Sequence, residues 1–202
     1  MTAPGDPFGA DDDATALTAE ERIGLVPAYI TYRHELNAAE QANIAKAQAS
    51  LLRKRRQPGP TELIDEAFIK RLHKRMFTDV WRWAGRYRQS DKNLGVQWVQ
   101  IPIEMRNLCG DGQAWLEHRA YPPDELAVRL HHRLVWIHPF ANGNGRLSRM
   151  LADLLIVALC GERFTWGSAD LAGAGQVRNR YIAALQRADA HVIAPLLAFA
   201  RS

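Results

Sequence analysis

Little in this sequence points to a metal staple or a membrane. Only two cysteines occur in 202 residues. Cys109 and Cys160 each stand alone among apolar neighbours with no CxxC or CxxH spacing, so neither a disulfide framework nor a zinc site is expected. Both read as small buried hydrophobes. No apolar run approaches the about 20 residues of a membrane span, so no membrane partner is expected. The first residues lack a basic stretch followed by an apolar one, which argues against a secretory signal and makes the cytoplasm the simplest location. There is no GxxxxGK(S/T) phosphate loop and no internal repeat.

What is present is ordinary for a soluble domain: 47% hydrophobic and 24% charged residues. The length suits one well-filled core. A net charge of +4 and a pI near 9.3 are compatible with an anionic ligand.

Residues 1–17, rich in Pro, Gly, Asp and Ala, read as a loose arm. Residues 18–57 read as an N-terminal helical segment. Thr18 and Glu21 form a capping-box pattern for a short helix that Pro27 interrupts. A stronger helix is expected from about Arg33 to Arg55, with Leu36, Ile44, Ala47 and Leu51 on one stripe and Glu40 on that same stripe. Pro58, Gly59 and Pro60 then break the chain. The core domain, 61–202, begins with a helix capped by Thr61 and running to about Met76. A turn follows at Gly85. From Gln89 to Ile101, weak helix propensity around Asn93-Leu94-Gly95 predicts a β-hairpin flap. Helices follow at about 102–118, 124–137, 145–160, 174–187 and 191–200. The fold class is mostly α, a single domain with one small β element.

The chemistry concentrates in His138 to Met150, "HPFANGNGRLSRM". Pro139 disfavours α conformation at His138 and places the imidazole at a helix-to-loop corner. Gly143 and Gly145 flank Asn144 and feed into a helix N-terminus, where free N–H groups and the dipole favour an anion. Arg146 and Arg149 share one face of that first turn, where positive charge opposes the helix dipole. They are either held for a phosphate, which guanidinium forks fit, or solvated, with Arg149 paired to Asp153. A histidine beside such a cradle suits proton abstraction from a hydroxyl that then attacks phosphorus.

This stretch resembles the Fic signature HxFx(D/E)GNGRxxR at every defined position but one. "FTDVWRWAGRYR" (77–88) resembles the Trp-Ala-Gly segment before the Fic core, and "VRNRYIAALQRADAHVIAPLLAF" (177–199) resembles the closing helices. Residues 23–47, "IGLVPAYITYRHELNAAEQANIAKA", resemble the bacterial subgroup called mobile mystery protein B. The resemblance implies a Fic-type helical domain that transfers AMP from ATP, with Mg²⁺, to a protein hydroxyl. It implies His138 as general base, Phe140 as loop anchor and Gly143, Asn144 and Gly145 as the phosphate cradle. Arg146 and Arg149 would bind the β- and γ-phosphates. The flap, Lys92, Asn93, Leu94, Gly95, Val96, Gln97, Trp98 and Val99, would dock the target segment by strand addition. A phosphotransferase, another nucleotide-donor transferase, or a nucleotide-binding module with little turnover stay open as alternatives. A cognate antitoxin or a self-dimer is left open as partner.

Asn142 departs from the signature, whose acid there is a Mg²⁺ ligand; an amide oxygen offers coordination without charge, so weaker metal binding is expected. Glu40 has two readings. It is an inhibitory glutamate that pairs with Arg149, although "LNAAEQAN" does not match (S/T)xxxE(G/N), or it sits at the solvent edge of its stripe. "RKRR" at 53–56 reads as a solvated helix end rather than a nucleic-acid contact. His131 and His132 point apart on their helix and are not expected to share a metal. Of the six tryptophans, Trp98 in the flap is the one not expected in the core.

Overall fold

A computed structural model describes residues 16–18, 22–52, 57–168 and 174–202. Residues 1–15 of the expected arm, residues 19–21 with Glu21 of the capping-box pattern and the 53–56 basic run lie outside the described residues. The last two residues of the arm are not loose, since Ala16 bridges Tyr32 and the buried Leu17 donates its N–H to Thr31 O at 2.7 Å.

The described chain is helical, as expected: α1 (Arg33–Leu52), α2 (Pro60–Leu63), α3 (Glu66–Phe77), α4 (Ile101–Glu117), α5 (Pro123–Ile137), α6 (Asn144–Ala158), α7 (Ala174–Asp189) and α8 (Ala194–Ala200). The antiparallel α5–α6 pair forms the centre, α4 and α8 pack on α5, and α1 lies across α3. Apolar spacing built this centre. Leu126, Leu130, Leu134 and Ile137 of α5 and Leu147, Leu151 and Leu155 of α6 are all buried in one apolar core.

The N-terminal segment differs from the expectation of a helix before Pro27. Residues 22–31 run as turns stitched to the chain after α3, where Val26 N–H donates to Val80 O at 2.9 Å and Arg82 N–H to Gly24 O at 2.9 Å. The start of α1 is held by Glu35, whose carboxylate accepts from Thr31 N–H at 2.7 Å and Tyr32 N–H at 3.0 Å. This is the returning half of a capping box. Leu36, Ala47 and Leu51 face the core, and Glu40 faces it with them.

The helix expected from Thr61 is in fact two. Thr61 caps neither: Gly59 precedes α2 with no side-chain cap, and Asp65 starts α3, its side chain accepting from Phe68 N–H at 2.8 Å. The β-hairpin flap is also corrected. Residues 91–96 form an irregular loop and Trp98–Gln100 a single 3-10 turn leading into α4. The bridges seen among the described residues are isolated, Ala16 with Tyr32 and Leu25 with Trp81. Strand-forming residues there have no partner strand among the described residues, so local propensity does not become a ladder. Cys109 is buried as expected, but Cys160 is exposed, because it lies in the turn after α6, where its φ is 64°.

Candidate functional site

His138 closes α5 in a left-handed conformation, φ 53° and ψ 56°, and its N–H still donates to Leu134 O at 3.2 Å. The chain therefore leaves the helix sharply and Phe140 drops fully into the core. Four contacts hold the loop that follows. Asn144, itself buried, accepts from Phe140 N–H at 2.9 Å and donates to Phe140 O at 2.8 Å. Its side chain is thus a loop clamp, and only its backbone N–H is left for a ligand. His73 of α3 stacks on Phe140 with ring centroids 3.8 Å apart. Because His73 Nδ1 accepts from Gly85 N–H at 2.9 Å, its Nε2 carries the proton and donates to Asn142 O at 3.1 Å.

Gly143 has φ 79°, and a Cβ there would enter the ring of Phe77, so only glycine fits. Around Gly145 the nearest atom to an added Cβ is Arg149 Nη1 at 3.8 Å. Its bareness serves no internal packing and leaves room on the cleft side. In α6 the first intrahelical bond runs from Leu147 N–H to Gly143 O at 2.9 Å. The N–H groups of Asn144, Gly145 and Arg146 thus have no intrahelical acceptor, the arrangement that attracts anions.

The anion present is the protein's own. Glu40 of α1, 2% exposed, pairs with Arg146 Nη1 at 2.7 Å. The same carboxylate accepts from Trp81 Nε1 at 2.6 Å and from Asn142 Nδ2 at 3.0 Å. Of the two sequence readings, the solvent-edge position is therefore corrected, and the cation Glu40 meets is Arg146, where Arg149 was expected. Arg149 lies one turn on, its guanidinium 5.7 Å from the ring centroid of Tyr181, on the wall of the same cleft. That cleft, about 780 Å³, brings His138, Asn142, Gly143, Gly145, Arg146 and Arg149 together with Leu94 and Gly95 of the loop.

The residues present do not form a ready magnesium site. The Asn142 amide oxygen already accepts from Gly143 N–H at 2.7 Å, and its amide nitrogen faces Glu40. No cluster of three His, Cys, Asp or Glu suited to a metal occurs among the described residues.

Of residues 92–99, Lys92, Asn93, Leu94 and Gly95 are exposed beside the cleft mouth. Gly95, φ 90°, presses on His138, and a Cβ there would collide with its side chain and with Ile137 O at 2.9 Å. Val96 is tied down by its N–H to Ile137 O at 3.3 Å. Trp98 and Val99 are exposed in the 3-10 turn. Burial lowers the His138 pKa, as do the charges of Arg88 and Lys92, with a hydrogen bond to the Val135 backbone acting the other way. A neutral imidazole is what a general base needs.

Sequence reasoning missed His73, Arg88 and Trp81. Each binds backbone or a distant side chain, and the one available signal was their place in the Trp-Ala-Gly segment or just before it. His131 and His132 do point apart. His131 turns inward to Tyr181 Oη at 3.1 Å, and His132 turns outward to Asp189 at 2.8 Å.

The profile of the Fic/DOC family matches residues 63–156, from the end of α2 through most of α6. Two relatives called Protein adenylyltransferase Fic, from Aedes aegypti and Drosophila yakuba, are each 30% identical to this chain, over 119 and 135 residues. The matches cover 57% and 65% of this chain but 22% and 26% of those proteins, so the chain spans about a quarter of their length. Among solved structures, BepC of Bartonella tribocorum with bound AMPPNP superposes with a TM-score of 0.66 at 18% identity, covering 96% of this chain and 94% of that one. Fic-1 of C. elegans gives 0.65 at 20% identity, covering 88% and 50%. At these identities the likeness establishes the fold.

The buried imidazoles make stability depend on pH. Burial and the Arg149 charge push His131 down to about 3. A lowered folded pKa contributes stability above the unfolded value of about 6.5 and loses it as pH falls toward the folded one. Between pH 7 and pH 5 His131 alone should cost about 2 kcal/mol. Urea unfolding of wild type and His131→Phe at both pH values should show the variant flatter by that amount.

Proposed function

We propose, from the match of residues 63–156 to the Fic/DOC family, that this protein is a protein adenylyltransferase that moves AMP from ATP to a hydroxyl side chain of a protein target. The observation that carries the reading is the base beside an anion cradle: His138 at the end of α5, and the bare N-terminus of α6 with Arg146 and Arg149 in one cleft. Similarity to relatives named adenylyltransferases and to a fold solved with AMPPNP supports it.

In the proposed reaction a ring nitrogen of His138 takes the proton of the target hydroxyl. The freed oxygen forms a bond to the α-phosphorus of ATP, the bond from that phosphorus to the β-bridging oxygen breaks, and pyrophosphate leaves. Arg146, Arg149 and the N–H groups of Gly145 and Arg146 hold the phosphates in line, so the catalysis is positioning and charge stabilisation. The exposed 92–95 stretch would hold the target over His138. Mg²⁺ would come with the nucleotide and gain little from this chain, since Asn142 brings no charge.

Glu40 gives the site a second, closed state in this reading. It occupies Arg146, so the phosphates must displace it, and the protein is self-inhibited. Asn142 belongs to the same lock. Its amide donates to Glu40, whereas an aspartate there would set two carboxylates about 3 Å apart, which cannot both stay ionised. The mobile mystery protein B assignment, on the resemblance of residues 23–47, belongs to this proposal, as do a toxin-like bacterial role, a cytoplasmic location and an antitoxin or self-dimer as partner.

ATP labelled at the α- or the γ-phosphate tests the reaction class. Label from the α-phosphate should enter protein, and His138→Ala should abolish it. Label entering from the γ-phosphate would make the protein a phosphotransferase, and binding without transfer would leave a nucleotide-sensing module. Glu40→Gly should raise self-modification by about tenfold or more; no gain counts against inhibition. Asn142→Asp should tighten nucleotide-dependent Mg²⁺ binding in a metal titration, and an unchanged affinity would refute the role given to Asn142.

A further inference from the structure

Arg88 is only 5% exposed and, among the described residues, is the only arginine so deeply buried. A guanidinium taken from water normally needs a carboxylate. The carboxylate nearest it, Asp91, stands 3.8 Å from Nη1 and is itself largely exposed. The fork is instead spent on carbonyls. Nε donates to His138 O at 2.8 Å, Nη1 to Ser90 O at 2.8 Å and Nη2 to Val96 O. Its main-chain N–H adds a bond to Pro139 O at 2.9 Å.

These acceptors share one geometry. Ser90 and Val96 are the two ends of the loop that covers the base, and His138 and Pro139 are the base's own backbone. One planar cation therefore ties both loop ends to a residue held in left-handed conformation, a state that costs a non-glycine residue roughly 1–2 kcal/mol. A lysine offers three donors from a single point and cannot span three separated carbonyls.

We propose that Arg88 is a positioning residue for the transfer reaction: it clamps the His138 main chain and both ends of the 90–96 loop, and so sets the aim of the imidazole and keeps it ready to accept a proton. It touches no substrate and acts through His138. The rate consequences rest on the AMP-transfer reading; the clamp itself does not. The positive charge of Arg88 lies beside an imidazole whose proton affinity is already lowered by burial. The other charged or titratable groups that share the cleft or the loop with His138 are Arg33 and Glu40 of α1, the latter paired to Arg146, His132 of α5, Arg146 and Arg149 of α6, Arg178 and Asp189 of α7, and Asp91 and Lys92 of the loop.

The test follows the His138 ring by NMR titration and AMP transfer by kinetics in the Glu40→Gly background, for Arg88→Gln and Arg88→Lys. In Arg88→Gln the His138 pKa should rise, the acid limb of the pH–rate profile should move up with it, and kcat should fall about tenfold or more while ATP affinity stays within about twofold. In Arg88→Lys the charge remains, so the titration should stay near that of the parent while kcat still falls. An unmoved His138 titration in folded Arg88→Gln overturns the proposal, as does a parental kcat in either variant. Should Arg88→Gln not fold, Arg88→Lys decides, because a merely structural loss would weaken ATP binding along with kcat. If the parent transfers no AMP, the function reading fails separately; faster amide exchange at Val96, whose N–H reaches Ile137 O, in Arg88→Lys still upholds the clamp, and unchanged exchange there overturns it.

Discussion

The ionic contact between Glu40 and Arg146 organises this molecule. A carboxylate 2% exposed would be costly alone. It is retained because three donors from three places converge on it: Arg146 at the start of α6, Asn142 in the loop before it and Trp81 after α3. The contact joins the N-terminal helix to the phosphate-type cradle. It also places a negative charge where the α6 dipole and two arginines favour one. One of the cradle's two arginines is thus occupied internally, and in the proposed reading any polyphosphate has to compete with α1 for it.

Around that contact the loop is held by groups that bind backbone. His73 fixes Asn142 O, Asn144 clamps Phe140 on both its N–H and its carbonyl, and Arg88 gathers the carbonyls of His138, Ser90 and Val96. Each side chain is buried, so its polar atoms would be orphaned if the loop moved. A site held in this way can keep its donors aimed at a ligand before the ligand arrives, which is the form of preorganisation that charge-stabilising catalysis needs.

Much of this was legible in the residues. Apolar spacing gave the helices, most bounds agreeing within a few residues, because α5 and α6 bury strict stripes. The order of His138, the glycines and the arginines gave the cleft. What was not legible depended on partners distant in sequence. The flap residues looked strand-like, but the described residues offer them no neighbouring strand. Glu40 was visible on its stripe, yet whether it meets Arg146 or Arg149 depends on how α1 crosses α3, which no local pattern encodes. Arg88 and His73 bind carbonyls, and carbonyls are the same at every position of a chain.

The central claim is that Glu40 fills an anion site by its charge. Calorimetric titration of a non-hydrolysable ATP analogue into wild type and Glu40→Gln tests it most directly, since the glutamine keeps the shape and removes the charge. The account predicts binding at least about tenfold tighter in Glu40→Gln, or about 1.4 kcal/mol. Equal affinities in the two proteins would contradict it.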